Sequence, residues 1–221
     1  MPSRPTVTLK LATSLDGRIA TAAGESKWIT GEQARTEAHR LRAAHDGVLV
    51  GSETVIADDP ELTARTDPPA SKQPLRIIAD SRARTPATAR VFTTLDQGPV
   101  AIATLETANL DHWPSDRGLQ FWMLPKGRDG RISLPEMMNS AIRAGLSALM
   151  VEGGGRLAAS FVREGLIDRI EWFRAPILLG GEGRACLAAL GLEKLVDAPT
   201  FVRTRVKEVG ADLWESYVRK A

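Results

Sequence analysis

The stretch that most constrains the fold lies near residue 150, where an apolar run, three glycines and an amphipathic pattern follow one another. Residues 148–151 are Ala-Leu-Met-Val, which predicts a buried strand. Gly153, Gly154 and Gly155 come next, and apolar residues then recur at helical spacing from Leu157 onwards. A strand that passes through a glycine turn into a helix presents backbone N–H groups to a phosphate. The structural alternative is a tight connection with no ligand.

Glu152 stands at the carboxyl end of the predicted strand, where open parallel sheets gather ligand-binding residues. The glycines do not match G-x-G-x-x-G, because Leu157 and Ala158 stand where the third glycine would be. Glu152 is therefore a candidate for ligand contact. A solvated helix cap is its alternative, since acidic side chains favour helix N-termini.

Size and charge describe an ordinary globular chain. The 221 residues allow one large domain or at most two small ones, and 43% of them are hydrophobic. The net charge of +2 comes from 29 basic and 27 acidic residues, so charge gives no case for nucleic acid or a membrane. No run approaches the ~18 apolar residues of a membrane span. We expect a cytoplasmic protein with no nucleic-acid or membrane partner, since no apolar signal region follows Met1.

The cysteine and histidine content gives no sign of a disulfide or a metal site. Cys186 is the single cysteine, which excludes an intramolecular disulfide and suggests a reducing compartment. We expect it to be a small apolar filler. His39, His45 and His112 lack the spacing of metal ligands, so no metal is predicted.

Periodicity and capping signals predict alternating strands and helices. Residues 6–12 alternate between apolar and polar, as a strand does, and capping boxes at Thr30 and Ser133 predict two helix starts. Other strands are predicted at 48–50, 75–79 and 100–103, and a β-hairpin at 200–209 and 212–218. This order predicts one α/β domain over residues 1–221. It should have three layers and a largely parallel central sheet with a C-terminal β-hairpin.

Polar and aromatic residues cluster where the predicted elements begin or end, and arginines among them suit phosphate because guanidinium groups make bidentate contacts. The set is Lys10, Ser26, Trp28, Arg42, Thr54, Asp58, Arg65, Ser81, Arg82 and Arg84. Each also has a structural alternative. Asp58 could cap a turn, Trp28 could lie in the core, and Arg42 could pair with an acid on its helix.

Taken together, these motifs resemble the reductase domain of the bifunctional riboflavin-biosynthesis deaminase/reductases. The matching segments occur in order, with matching gaps, over nearly the whole chain. They include TLKLATSLDGRIA at 8–20, GESKWITG at 24–31, HRLR at 39–42, VG at 50–51, TVIADDP at 54–60, LTAR at 62–65, DSR at 80–82, VEGGG at 151–155 and APILLGG at 175–181.

The resemblance implies a dihydrofolate-reductase-like fold, NADPH as hydride donor and frequent homodimers. It also implies a substrate, 5-amino-6-(5-phosphoribosylamino)uracil, whose ribosyl group is reduced to ribityl. By resemblance, the cofactor contacts are Ala12, Trp28, Thr54, Asp58, Ser81, Gly154, Gly155, Arg156, Leu157, Ala158, Ala159 and Ser160. The substrate contacts are Ser26, Arg42, Leu62, Arg65 and Glu152.

The chemistry expected on this basis is hydride transfer from NADPH to the sugar C1′, in an NADPH-dependent oxidoreductase of riboflavin biosynthesis. Lys10 and Glu152 are the expected catalytic residues, with Lys10 polarising or protonating the substrate and Glu152 holding it. Two rivals stay open. One is a reductase of the same fold that acts on the undeaminated diaminopyrimidinone or on a pterin-like molecule. The other is a catalytically silent NADP-binding protein.

The sequence departs from the bifunctional proteins in one respect. Those proteins carry a zinc deaminase domain ahead of the reductase, whereas this sequence shows neither His-x-Glu nor Pro-Cys-x-x-Cys. Three explanations stay open: a separate deaminase, a fragment of a longer protein, or a paralogue. A paralogue would change the expected substrate more than the expected cofactor.

Overall fold

The computed structural model describes residues 4–113 and 118–220, which form a mixed α/β fold. The described α-helices are α1 (Glu32–Ala43), α2 (Ser52–Asp58), α3 (Arg90–Thr93), α4 (Leu134–Arg143) and α5 (Gly155–Arg163). The described strands are β1 (Thr6–Thr13), β2 (Arg18–Ala20), β3 (Gly47–Gly51), β4 (Leu75–Ala79), β5 (Val100–Leu105), β6 (Gln120–Leu124), β7 (Ala148–Glu152), β8 (Arg169–Arg174), β9 (Arg184–Ala185), β10 (Phe201–Val209) and β11 (Asp212–Arg219).

The chain divides into two compact units. The first unit is Met1–Pro5 with His39–Met150, and the second unit is Thr6–Ala38 with Val151–Ala221. Strand β7 therefore gives its first three residues to the first unit and its last two to the second. That residues 1–221 act as a single reductase domain stays a prediction.

In the first unit the strands lie in the order β3-β4-β5-β6, and every neighbouring pair is parallel. Strands β3, β4 and β5 are nearly continuous apolar runs because both faces of a parallel sheet are covered. One core cluster joins Val50, Ile78 and Ile102 of these strands to Phe92 and Trp113. The apolar runs are therefore strands of a parallel sheet, as the sequence predicted.

A fully buried arginine, Arg76, lies on β4 of the first unit. Its Nη1 donates to the Glu61 carbonyl at 3.0 Å and to Thr94 Oγ1 at 2.9 Å, and its Nη2 donates to the Thr94 carbonyl at 2.8 Å. The Gly98 carbonyl also accepts from Nη2. Burial lowers the pKa of Arg76, an effect that Asp96 and Glu61 oppose. Arg76 therefore ties the backbone at Glu61 to the turn after α3.

In the second unit the strands lie in the order β10-β11-β8-β1. Strand β1 is parallel to β8, β8 is antiparallel to β11, and β11 is antiparallel to β10. The last two strands meet at Gly210, whose φ of 66° suits a tight turn. The predicted C-terminal β-hairpin is confirmed. Strands β2 and β9 form a separate two-stranded sheet.

The two helices that capping boxes predicted, α1 and α4, begin in different ways. Ser133 accepts a hydrogen bond from the Glu136 N–H at 3.4 Å, so the predicted start of α4 is confirmed. At α1 the Gly31 N–H donates instead to the Asp212 carboxylate at 2.6 Å, and the helix begins at Glu32. Strand β6 was not predicted. The fold class is confirmed as mixed α/β with a mostly parallel sheet and antiparallel C-terminal strands.

Candidate active site

An ion pair between Lys10 and Glu152 lies within the second unit. Lys10 Nζ lies 3.9 Å from Glu152 Oε2, and the two side chains are 15% and 9% exposed. Period-two alternation puts Lys10 and Ala12 on one face of β1 and Leu9 and Leu11 on the other, where they are buried. Charges this poorly solvated interact more strongly than surface ion pairs. The structure therefore brings together the two predicted catalytic residues.

The glycine turn between β7 and α5 adopts backbone conformations that favour glycine. Gly153 and Gly154 have φ of 72° and 81°. The first hydrogen bond of the helix runs from the Ala158 N–H to the Gly154 carbonyl at 3.1 Å. Helix geometry leaves the preceding N–H groups without an intrahelical acceptor, which suits an anion at this terminus.

Packing explains the third glycine. A Cβ on Gly155 would lie 2.6 Å from the Ala185 carbonyl oxygen, so β9 passes too close to α5 for any side chain. The structural alternative, a tight connection, therefore accounts for Gly155. Along α5, Ala158 and Ala159 are buried, whereas Leu157 and Ser160 are half-buried and Arg156 is exposed. Backbone groups and the partly exposed side chains are what α5 can offer a ligand.

Trp28 lies exposed on the protein surface, in the loop before α1. Its side chain is 72% exposed, and its φ of 69° is unusual for a bulky residue. The Arg35 guanidinium carbon lies 4.2 Å from the ring centroid, a cation–π contact that holds the indole in place. The alternative in which Trp28 lies in the core is wrong. Ser26, two residues earlier, is half-buried.

In the first unit, Arg42 and Arg65 converge on one threonine. Arg42 Nη1 donates to the Thr63 carbonyl at 3.1 Å, and Arg65 Nη1 lies 3.5 Å from Thr63 Oγ1. Arg65 is 60% exposed and also pairs with Glu61 at 3.2 Å. The fold thus brings these two predicted substrate contacts together although 23 positions separate them.

The remaining predicted residues near α2 differ in exposure. Leu62 is buried in the core cluster at a φ of 61°, so its backbone is the part available to a ligand. Such a conformation is costly for a bulky residue and is typical of ligand-binding segments. Asp58 is exposed and Thr54 half-buried on α2. It is the neighbouring Asp59 whose carboxylate accepts from the Arg90 N–H, at 2.7 Å.

The loop after β4 is organised by the buried Asp80, the first residue of the DSR segment, which was not among the predicted site residues. Asp80 Oδ2 accepts from the N–H groups of Arg84 and Thr85, each at 2.7 Å. Ser81 Oγ accepts from the Ile132 N–H at 3.0 Å, so this hydroxyl supports the loop. Arg82 and Arg84 are exposed beside it. The signal available was an aspartate directly after a buried strand, which favours an Asx turn.

A second aspartate fixes the segment that carries the APILLGG motif. Asp16 accepts from Ser14 Oγ at 2.6 Å and from the N–H groups of Leu179 and Gly180 at 3.1 and 2.9 Å. The Ser14 hydroxyl, followed by these backbone donors, lowers the pKa of Asp16 to about 2. The carboxylate is thus ionised at neutral pH and joins two motifs that lie far apart in sequence.

Residues 4–113 and 118–220 contain no evident metal-binding cluster and no membrane-spanning helix. No group of three or more His, Cys, Asp or Glu side chains there could hold a metal ion. No helix in the same ranges is long and apolar enough to cross a membrane. Cys186 is buried, as expected of an apolar filler, and burial raises the pKa of its thiol.

The sequence matches the family model of the RibD C-terminal domain over residues 5–214. The chain belongs to the RibD C-terminal domain family. It is 38% identical to the riboflavin biosynthesis protein RibD of Bacillus amyloliquefaciens over 214 residues, which are 95% of this chain and 56% of that protein. The chain therefore spans little more than half the length of that relative.

The chain is also similar to a curated reductase and to a solved RibD structure. The chain is 35% identical to the 2,5-diamino-6-ribosylamino-4(3H)-pyrimidinone 5′-phosphate reductase of Methanothermobacter thermautotrophicus, over 98% of this chain and 99% of that protein. The solved structure of Acinetobacter baumannii RibD, form 2, superimposes with a TM-score of 0.86 at 30% identity, over 99% of this chain and 59% of that one. The fold of the RibD C-terminal domain is thus the fold of this chain.

Proposed function

We propose that this chain is an NADPH-dependent reductase that converts the ribosyl group of 5-amino-6-(5-phosphoribosylamino)uracil to ribityl. The observation that carries the proposal is the poorly solvated Lys10–Glu152 pair directly ahead of the glycine turn. It combines an acid–base pair with an anion-binding helix terminus in one unit. The name of the Methanothermobacter relative supports a reductase acting on a phosphorylated pyrimidine.

That same relative supports a second candidate substrate. Its name specifies a diaminopyrimidinone, the undeaminated form, and the chain covers 99% of its length. The two substrates differ by one exocyclic amino group in place of a carbonyl oxygen. Glu152 is the residue we assign to the pyrimidine or the sugar, because a carboxylate can accept hydrogen bonds from either.

A reductase of this family needs a nucleotide cofactor, and the glycine turn fits one. The N–H groups at the start of α5, next to Gly153 and Gly154, are donors for a phosphate. We assign the segment from Gly154 to Ser160, with Ala12 and Trp28, to NADPH in the second unit. In the first unit we assign Thr54, Asp58 and Ser81. The bound cofactor would supply the hydride for the sugar C1′.

The residues of this chain would do the remaining work. We assign Lys10 to proton donation, because its ammonium group is poorly solvated and lies 3.9 Å from Glu152, the residue assigned to the substrate. Arg42 and Arg65 would hold the substrate's 5′-phosphate, and Ser26 and the backbone of Leu62 would complete the substrate contacts. Holding two reactants in contact geometry supplies much of the rate in such reactions.

We further propose a homodimer in the cytoplasm. Strand β10 supports the dimer: it lies at the end of the second unit's strand order, and seven of its nine residues are exposed. Val202 and Val206 are each about half exposed on it. A long edge strand with apolar residues is a pairing site that natural proteins usually cover. Light scattering after gel filtration measures the assembly directly, and a monomer at micromolar concentration would contradict it.

Steady-state assays of NADPH absorbance test the proposed activity. The chain is mixed with NADPH and, in separate reactions, with the phosphoribosylaminouracil, the diaminopyrimidinone or dihydrofolate. We expect cofactor oxidation with the uracil at a kcat/KM well above that for the other two. A preference for the diaminopyrimidinone would establish the second candidate. NADPH binding without oxidation of any substrate would establish a silent binding protein instead.

A further inference from the structure

A buried carboxylate that neither the motifs nor the proposed mechanism uses lies on β8. Glu171 is 7% exposed, and its Oε2 accepts two hydrogen bonds from β11. The donors are Trp214 Nε1 at 2.6 Å and Ser216 Oγ at 2.5 Å. Two donors on one oxygen fix the carboxylate in place. Phe173, two residues on, stacks against Trp214 with ring centroids 5.0 Å apart, which holds the indole that makes one of these bonds.

Strand register places this carboxylate beside Lys10. Lys10 and Glu171 are Cα partners in the parallel β1–β8 pair, Glu171 and Ser216 are partners in the β8–β11 pair, and Ser216 and Arg205 are partners in the hairpin. Register partners share a face of the sheet, with strands about 4.8 Å apart. Strand β1 lies between β7 and β8, and Glu152 of β7 pairs with Lys10 on the side away from Glu171, so Lys10 stands between two acidic residues.

The surroundings of Lys10 make this arrangement consequential. Its Nζ lies 5.9 Å from the Phe173 ring centroid, so an aromatic ring rather than water covers one side of the ammonium. The charged groups around this row of register partners include Glu152 from β7, Glu171 from β8, Arg205 and Lys207 from β10, and Glu37 from α1, which pairs with Lys207 at 2.9 Å. Arg205 and Lys207 lie over the Trp214 ring at 4.4 and 5.7 Å. Lys10 is the cation on the strand next to Glu171.

We propose that Glu171 is a positioning residue for Lys10, a fixed counter-charge that keeps the ammonium protonated and in place. The inference rests on the proposed function, in which Glu152 accepts hydrogen bonds from the substrate and Lys10 donates a proton. Once Glu152 makes hydrogen bonds to substrate, its hold on Lys10 weakens. Glu171 stays in place, because Trp214 and Ser216 hold it, and so it preserves the charge of Lys10 throughout the reaction.

The direct test measures the ionisation of Lys10 without turnover. The chain is labelled with [13Cε]lysine, the Lys10 signal is assigned with Lys10→Arg, and its NMR shift is followed as the pH rises. In Glu171→Gln, which keeps the shape and the acceptor oxygen, the Lys10 titration midpoint should fall by about one pH unit. An unchanged midpoint would overturn the proposal.

Glu215→Gln is the matched control. Glu215 is also buried and lies on the adjacent strand β11, but its partners are Arg174 at 2.7 Å and the Tyr217 hydroxyl at 3.0 Å. It lies on the opposite face from Trp214 and Ser216, so the Lys10 midpoint should not move in this variant. An equal shift in both variants would show a general effect of net charge and would count against Glu171.

Two further measurements keep the test decisive. If Glu171→Gln does not fold, Glu152→Gln replaces it: the Lys10 signal should still show an acid step, which needs a second carboxylate, and its absence would overturn the proposal. In the pH profile of kcat/KM, the alkaline limb of Glu171→Gln should shift to lower pH by the same amount as the Lys10 titration midpoint. A limb that stays in place refutes the role of Glu171 as a positioning residue in the reaction. An inactive chain refutes the proposed function, while the NMR result still decides the pairing.

Discussion

Truncation of Arg42 and Arg65 is the sharpest test of a phosphorylated substrate. The structure brings both guanidinium groups to Thr63, one at its carbonyl and one at its hydroxyl. The existing side-chain contacts of Arg65 are modest. Arg65 is 60% exposed, so its pair with Glu61 contributes at most about 1 kcal/mol. Truncation of Arg65 should therefore lower the free energy of unfolding by about 1 kcal/mol or less.

The kinetic effect should be larger than the effect on stability. A charge-assisted hydrogen bond to a phosphate contributes roughly 1.5–3 kcal/mol. At about 1.4 kcal/mol per decade, losing one should lower kcat/KM about ten- to hundredfold. Removing the phosphate from the substrate should cost the unsubstituted enzyme at least as much. It should cost the Arg42→Ala, Arg65→Ala double variant much less, since the partners are already gone.

The assay is therefore a cycle of two enzymes and two substrates, phosphorylated and dephosphorylated, with kcat/KM measured from NADPH oxidation. Arg90→Ala is the matched control, because Arg90 is an exposed arginine that also pairs with Glu61 but is not assigned to substrate. It should respond to the phosphate as the unsubstituted enzyme does. If dephosphorylation costs the double variant the same factor as the unsubstituted enzyme, the two arginines do not bind the phosphate.

Three further predictions concern stability, measured by urea denaturation. Gly155→Ala should lower the free energy of unfolding by about 1–3 kcal/mol, because the added Cβ would lie 2.6 Å from the Ala185 carbonyl oxygen. Gly181→Ala is the control and should change this free energy little, because the space around Gly181 is open. Equal losses in the two variants would refute the packing argument. Arg76→Met should lower the free energy of unfolding by about 3 kcal/mol or more, because the Glu61 and Thr94 carbonyl oxygens lose their donor. An unchanged urea midpoint would show that these hydrogen bonds do not stabilise the fold. Asp16, whose folded pKa of about 2 is below the unfolded value of 3.8, stabilises the fold above pH 3.8, and this stabilisation is lost as the pH falls toward 2. Asp16→Asn should flatten that acid decline, and an unchanged slope would show that the Asp16 hydrogen bonds do not contribute.

Local patterns predicted those elements whose signals are local. Strand β1 alternates over eight residues, and Ser133 caps α4 from three positions away, so both could be recognised without tertiary information. The capping box at Thr30 also predicted the start of α1, which begins at Glu32, but not the carboxylate that binds the Gly31 N–H, because that is Asp212, 181 positions away. Strand β6 was missed because its short apolar run, Phe-Trp-Met-Leu, does not alternate, and such a run cannot be told from a buried helix segment by periodicity alone.

The candidate site shows the same division. Lys10 was conspicuous as a charged residue in a strand suited to burial, and the structure shows its partner. Glu171 was just as anomalous within Arg-Ile-Glu-Trp-Phe, but its meaning depends on donors from β11 that no local pattern reveals. Trp28 could not be placed from sequence, because a tryptophan's ordinary preference for the interior is overridden by the backbone conformation and by Arg35.

The pairing of β1 with β8 determines when the second unit can form during synthesis. The Val7 N–H donates to the Asp168 carboxylate at 2.8 Å across 161 positions of sequence, and the parallel ladder continues to Arg174. The first strand to leave the ribosome must therefore wait for most of the chain, whereas His39–Met150 emerges as one uninterrupted run. Pairings this distant in sequence form slowly and leave an apolar strand exposed in the meantime. A nascent chain stalled before residue 168 would hold β1 unpaired with β8, so this is the interval in which a chaperone would have most to protect.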